Sequence, residues 1–156
     1  LSAFFWGYLV YDHEAFHLNT IIVGLAATVM ISTLFVDYKH YIIPDGYSLL
    51  MLILGVAYVL THLEQWMNLM LGGIVAFGVF LLLMILSGEN VGGGDVKLVA
   101  GIGLFIGLKS LLMYLALSFL IGAVFAAILI FAKVKSRKDK IPFGPCLALG
   151  FLFVLL

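Results

Sequence analysis

Charge is what this sequence has least of: Asp, Glu, Lys and Arg together make up 10% of its 156 residues. A soluble domain carries about 25%. With 65% hydrophobic residues and a mean hydropathy of +1.26, the chain has too little polar surface to cover a water-soluble core. It reads as an integral membrane protein. Eight basic residues balance eight acidic ones, so no bulk field attracts a polyanion, and no nucleic-acid partner is expected. The single cysteine, Cys146, excludes an internal disulfide and a four-thiolate zinc site; in its apolar segment a lone thiol packs as a small hydrophobe. No basic cluster opens the chain, as a signal peptide would require. Heptads, low-complexity linkers and the internal repeat that marks duplicated transporter halves are all lacking. Residues 1–156 therefore read as one membrane-embedded domain.

What the sequence does contain is a series of apolar spans separated by short polar breaks. The first apolar run, 1–11, is shorter than the roughly 20 residues that cross a bilayer, and is expected to be the end of a helix that begins earlier. After a break at 12–19 come spans at 20–36, 47–61, 66–87, 98–108, 111–132 and 141–156. The expected fold is all-α: a polytopic transmembrane helical bundle of about six to seven spans. With the first break placed outside, the inside breaks hold Lys39, Lys97, Lys133, Lys135, Arg137, Lys138 and Lys140, and the outside breaks only Lys109. That asymmetry follows the positive-inside rule and puts Asp37, Asp45, Glu89 and Asp95 at the cytoplasmic face. Gly103 and Gly107 have a small-xxx-small spacing that lets helices pack closely in lipid, and Gly72, Gly73 and Gly78 are read the same way.

Against this background the stretch Gly92-Gly93-Gly94-Asp95-Val96-Lys97-Leu98 stands out. An acid at the end of a membrane segment is costly and is by default a functional candidate. Glycines let the backbone turn and approach closely. Asp37 ends another span on the same side. Neighbouring carboxylates do not readily ionise together, so one keeps its proton while the other loses it. Such a pair activates water as base and protonates a carbonyl oxygen as acid, the division of labour of aspartic proteases. Asp37 and Asp95 are thus candidates for peptide hydrolysis without metal or cofactor.

Plainer readings stand beside this one. Taken alone, Asp37 reads first as a helix cap or a solvated loop residue, and Asp45 in Pro44-Asp45-Gly46 mostly as part of a turn. Glu89 and Lys97 are interface charges by default, Lys97 with a snorkelling stem. The basic segment 133–140 is a topology signal with a second use against acidic lipid headgroups. His13, His17 and His62 fall on one side and His40 on the other, which argues against a shared metal site, and the i, i+4 pair His13/His17 is weak evidence for zinc.

The residues also resemble a family. Gly92-Gly93-Gly94-Asp95 matches the Gly-x-Gly-Asp motif of intramembrane-type aspartic proteases. Its continuation Val96-Lys97-Leu98 and the preceding Gly88-Glu89-Asn90-Val91 are similar to the type IV prepilin peptidases in particular. The block from Asp37 to Pro44-Asp45 resembles that family's upstream Asp block, and Ile141-Pro142-Phe143-Gly144-Pro145 its C-terminal signature. Presenilin-like proteases share only the short motif. The resemblance implies that Asp37 and Asp95 are the catalytic pair, with Gly92, Gly94, Lys97, Pro44, Asp45 and Glu89 as motif or supporting positions. It implies a substrate as well: the basic leader of prepilin or pseudopilin proteins, cut after a glycine on the cytoplasmic side of a bacterial inner membrane. The leader's basic residues would meet acids such as Glu89 or Asp45.

Many bacterial members carry an N-terminal region with two Cys-x-x-Cys pairs, associated with methylating the new N-terminus. This chain has a single cysteine, so it is expected to be a protease-only form or a fragment, the missing start of the first helix favouring a fragment. No methyltransferase activity is assigned to it. The expectation is a membrane-embedded aspartic endopeptidase domain in contact with lipid. Its rivals are an ion-coupled small membrane transporter using the same acids and a structural membrane subunit; one-sided placement of the acids speaks against transport, because a pathway wants polar groups at mid-membrane depth.

Overall fold

A computed structural model of the chain describes residues 18–40, 43–87, 92–132 and 143–155. The run 1–11, His13 and His17, Glu89 and the basic segment 133–140 lie outside the described residues. The elements are α1 (Leu18–His40), α2 (Asp45–Thr61), a 3-10 turn (Leu63–Gln65), α3 (Trp66–Ser87), α4 (Gly93–Phe131) and α5 (Gly144–Leu155). No strand occurs among the described residues. That is the solution lipid demands, since a helix satisfies its own backbone groups where no water can. Three segments are long and apolar enough to cross a membrane, Leu18–Asp37, Leu63–Ser87 and Gly93–Phe131, and two apolar helices, Asp45–Thr61 and Gly144–Leu155, are shorter.

α4 is two helices in sequence. Gly107, at φ 68° and ψ 170°, breaks the helical run in the left-handed region that glycine occupies without steric cost. The chain reverses there. Before the break Gly103 packs on Gly72 and Ala76 of α3; after it Phe119 stacks near Phe80 of the same helix, with ring centroids 6.3 Å apart. The first half thus runs antiparallel to α3 and the second half parallel to it. Sequence reading places this break at Lys109-Ser110, where charge appears; the reversal comes two residues earlier, at the residue able to make it. Asn68 of α3 secures the turn, its Oδ1 accepting the Lys109 N–H at 3.2 Å. This N–H is one of the donors a new helix leaves without an intrahelical partner.

The small residues expected to mediate packing mostly do so. A Cβ on Gly72 would lie 2.5 Å from the Gly103 carbonyl oxygen, and one on Gly103 equally close to the Gly72 oxygen. The α3–α4 contact is therefore backbone on backbone, as small-residue pairs in lipid allow. Gly73 meets Leu104 and Ala100 in the same seam. Gly78 is the exception, exposed with nothing within 4 Å, so its expected packing role is not met: it faces outward from α3.

The core is built from Met30, Met51, Phe80, Leu98, Ile102, Tyr114, Leu147 and Phe151, all fully buried. The outer surface is apolar too: Leu60, Ile85, Leu112 and Phe131 are each more than 60% exposed. In water such a surface would be a liability; against lipid tails it is the matching one. Inside, Thr33 is tied to backbone, its Oγ1 donating to the Val29 carbonyl at 2.8 Å.

Candidate functional site

The two aspartates singled out by the sequence lie at one end of the bundle. Asp37, near the end of α1, is 4% exposed. Its Oδ2 accepts the Gly144 N–H at 2.8 Å. Gly144 is the first residue of α5, and the N–H groups there have no partner within their own helix. α5 therefore presents the positive end of its dipole to a carboxylate 107 residues earlier, an arrangement favourable to negative charge. The close approach depends on the missing side chain: a Cβ on Gly144 would lie 2.6 Å from Asp37 Oδ2 and 3.0 Å from its Cβ and Cγ.

Asp95 is the third residue of α4 and is partly exposed. Its Oδ2 accepts the N–H of Gly92 at 3.2 Å. Gly92 is the N-cap, extended at φ −75° and ψ 147°, so Asp95 supplies the return half of a capping box. Asp37 on α1 and Asp95 on α4 lie within electrostatic reach of each other. Each thus has one oxygen held by a backbone N–H from a helix start. The Asp37 charge also reaches Cys146 on α5, and that of Asp95 reaches Tyr114 in the second half of α4.

α2 completes this end. Ser48 donates its hydroxyl to the Gly94 carbonyl at 2.9 Å, and a Cβ on Gly94 would come within 2.8 Å of the Ile43 carbonyl oxygen. The segment entering α2 therefore lies directly against the glycine stretch. Pro44, extended at φ −60° and ψ 137°, is the N-cap of α2, and its carbonyl accepts the Tyr47 N–H at 3.1 Å. Asp45, read from sequence mainly as a turn residue, is the first residue of that helix. Its Oδ1 pairs with Lys97 Nζ at 2.9 Å, with the side chains 79% and 50% exposed respectively. An ion pair this open stabilises by at most about 1 kcal/mol, but it occupies the acid that sequence reading offers to a substrate's basic residues. Glu89, offered the same role, lies outside the described residues.

The structure thus gathers Asp37, Asp95, Gly92, Gly94, Pro44, Asp45 and Lys97 at one end. Gly144 and Ser48 join them, and sequence reasoning did not single them out. Phe143-Gly144-Pro145 was the available signal for Gly144: glycine and proline at a helix start, inside a block already noted. Among the described residues no group of three or more His, Cys, Asp or Glu side chains is placed to hold a metal ion. A buried and a partly exposed carboxylate close together can share one proton and divide base and acid work between them.

Comparison with known proteins shows the family. Residues 4–127 match the family model of the type IV leader peptidase family. The chain is 35% identical over 121 residues to the prepilin leader peptidase/N-methyltransferase of Xanthomonas campestris pv. campestris, an alignment covering 74% of this chain and 42% of that protein. It is 30% identical over 135 residues to the Bacillus subtilis protein of the same name, covering 83% and 54%, and 31% identical over 149 residues to that of Legionella pneumophila, covering 92% and 52%. The chain spans about half the length of these curated relatives. No solved structure matches it.

Proposed function

Because the chain belongs to the type IV leader peptidase family, we propose that it is a membrane aspartic endopeptidase that removes the basic leader of prepilin or pseudopilin proteins, with Asp37 and Asp95 as its catalytic dyad. The observation that supports this reading is that Asp37 of α1 and Asp95 of α4 lie within electrostatic reach of each other, each with one oxygen held by a backbone N–H. A water held between the carboxylates loses a proton to the ionised one as it attacks the scissile carbonyl carbon. The protonated partner gives its proton to the carbonyl oxygen, forming a tetrahedral diol. Collapse returns that proton to the dyad, breaks the C–N bond and protonates the leaving amine from the other carboxyl, regenerating one shared proton. Base and acid roles belong to the pair, which titrates as a unit.

In this reading residues 1–156 form one peptidase domain of six to seven spans in a bacterial inner membrane, with the dyad facing the cytoplasm. The cut site then falls where the substrate's apolar helix leaves the lipid. The backbones of Gly92 and Gly94 shape the start of α4, Pro44 starts α2, and the exposed Asp45–Lys97 pair lies at the rim. No metal or cofactor takes part. The peptidase step alone is assigned to this chain, not the methyl transfer in its relatives' names.

The test is cleavage of a purified prepilin-like substrate by the chain in detergent. One defined cut, unchanged by a metal chelator, is the expected result. No cut by the folded chain, together with gradient-driven ion flux in vesicles, would overturn the proposal in favour of transport. Lys97→Ala is expected to lower kcat/KM by no more than about fivefold, the scale of an exposed ion pair; a far larger loss would place the lysine in the chemistry.

A further inference from the structure

Tyr114 is fully buried, and its hydroxyl makes no hydrogen bond among the described residues; the same is true of Ser118, 1% exposed and one helical turn away. The two hydroxyls are neighbours without forming a well-shaped bond to each other. A buried hydroxyl left unpaired is destabilising, and native interiors rarely keep one without a reason. Packing does not supply the reason, since phenylalanine and alanine would fill these positions with the same carbon framework and strand no hydroxyl. α5 makes room for the pair: a Cβ on Gly150 would collide with the Ser118 hydroxyl. Tyr114, which lies after the break at Gly107, also stands within electrostatic reach of Asp95.

We propose that Tyr114 is a positioning residue for Asp95, linked to its carboxylate through a buried water that it holds together with Ser118. A buried water takes two to four polar partners; two hydroxyls and one carboxylate oxygen make a full set. The link restrains the Asp95 side chain in the rotamer that faces Asp37, so it acts on the chemical step and not on substrate affinity. This inference rests on the dyad reading of the same site.

The experiment compares the purified chain with Tyr114→Phe and Ser118→Ala in detergent by two readouts. One is cleavage kinetics on a prepilin-like substrate; the other is the infrared C=O stretch of the protonated Asp95 carboxyl, assigned by its loss in Asp95→Asn. Tyr114→Phe is expected to lower kcat at least tenfold with KM within about twofold, to lower the unfolding temperature only slightly, as the loss of one buried hydrogen bond does, and to shift the Asp95 band. Ser118→Ala, a smaller change in packing, is expected to give the same pattern at lower amplitude. An unshifted band, or a shifted band with unchanged kcat, overturns the inference while the peptidase reading stands. If the unsubstituted chain does not cleave, the peptidase reading fails and the infrared comparison alone decides whether the hydroxyl reaches Asp95.

Discussion

Replacing Asp95 by asparagine is expected to lower cleavage by on the order of 10,000-fold or more, the upper range for losing general acid–base catalysis, while the protein still folds and inserts. Asparagine keeps the size and planarity of the side chain, and its amide oxygen can still accept the Gly92 N–H. What it cannot do is take up or release the shared proton. Asp37→Asn is expected to do the same for the same reason, its oxygen remaining available to the Gly144 N–H. If the two act as one unit, the double variant loses no more than either single variant, the non-additivity expected of residues sharing one step. Appreciable cleavage by either purified single variant would remove the dyad. Independent, additive losses would assign the two acids to separate tasks.

The second large effect is expected at a residue with no side chain. Gly144→Ala puts a methyl group within 2.6 Å of Asp37 Oδ2, so either the carboxylate or the start of α5 must move. Overpacking of this kind typically costs about 1–3 kcal/mol of stability. The functional cost is larger: a displacement of about 1 Å at the reacting groups is enough for roughly 100-fold in rate. Cleavage is therefore expected to fall by about two orders of magnitude with only a modest decrease in unfolding temperature. Near-normal cleavage by Gly144→Ala would show that the helix start does not orient Asp37.

The helix limits were legible in the sequence because lipid imposes them locally. The expected spans 47–61 and 66–87 end where α2 and α3 end, since hydropathy is a property of the segment itself. The antiparallel turn inside 93–131 was legible as well, displaced by two residues because hydropathy registers the charge of Lys109 and not the φ of Gly107. The two aspartates were legible because a carboxyl group at the end of an apolar span is costly to keep unless it has a task. Contacts across long separations were not. Gly144 reads as one residue of the Ile141–Pro145 block until it is seen to donate to Asp37, and Asp45 and Lys97 read as unrelated charges until α2 and α4 are laid side by side. Nothing in the residue types at 114 and 118 announces that their hydroxyls are buried unpaired; that follows only from the course of the chain after Gly107.

That course also fixes how deep the carboxylates lie. From Asp95 to the reversal at Gly107 the chain advances about 18 Å along the first half of α4, at 1.5 Å per residue, whereas the hydrocarbon layer of a typical bilayer is about 30 Å thick. Polar groups at both ends of so short a helix cannot both reach the headgroups of an undeformed bilayer. The lipid must thin around this helix, or one end must sit recessed with water drawn down to it. Mismatch of this kind costs fractions of a kcal/mol per Å, so the thickness of the surrounding lipid sets how far water travels to reach Asp95. Membrane thickness thereby becomes a variable of the chemistry as well as of the fold.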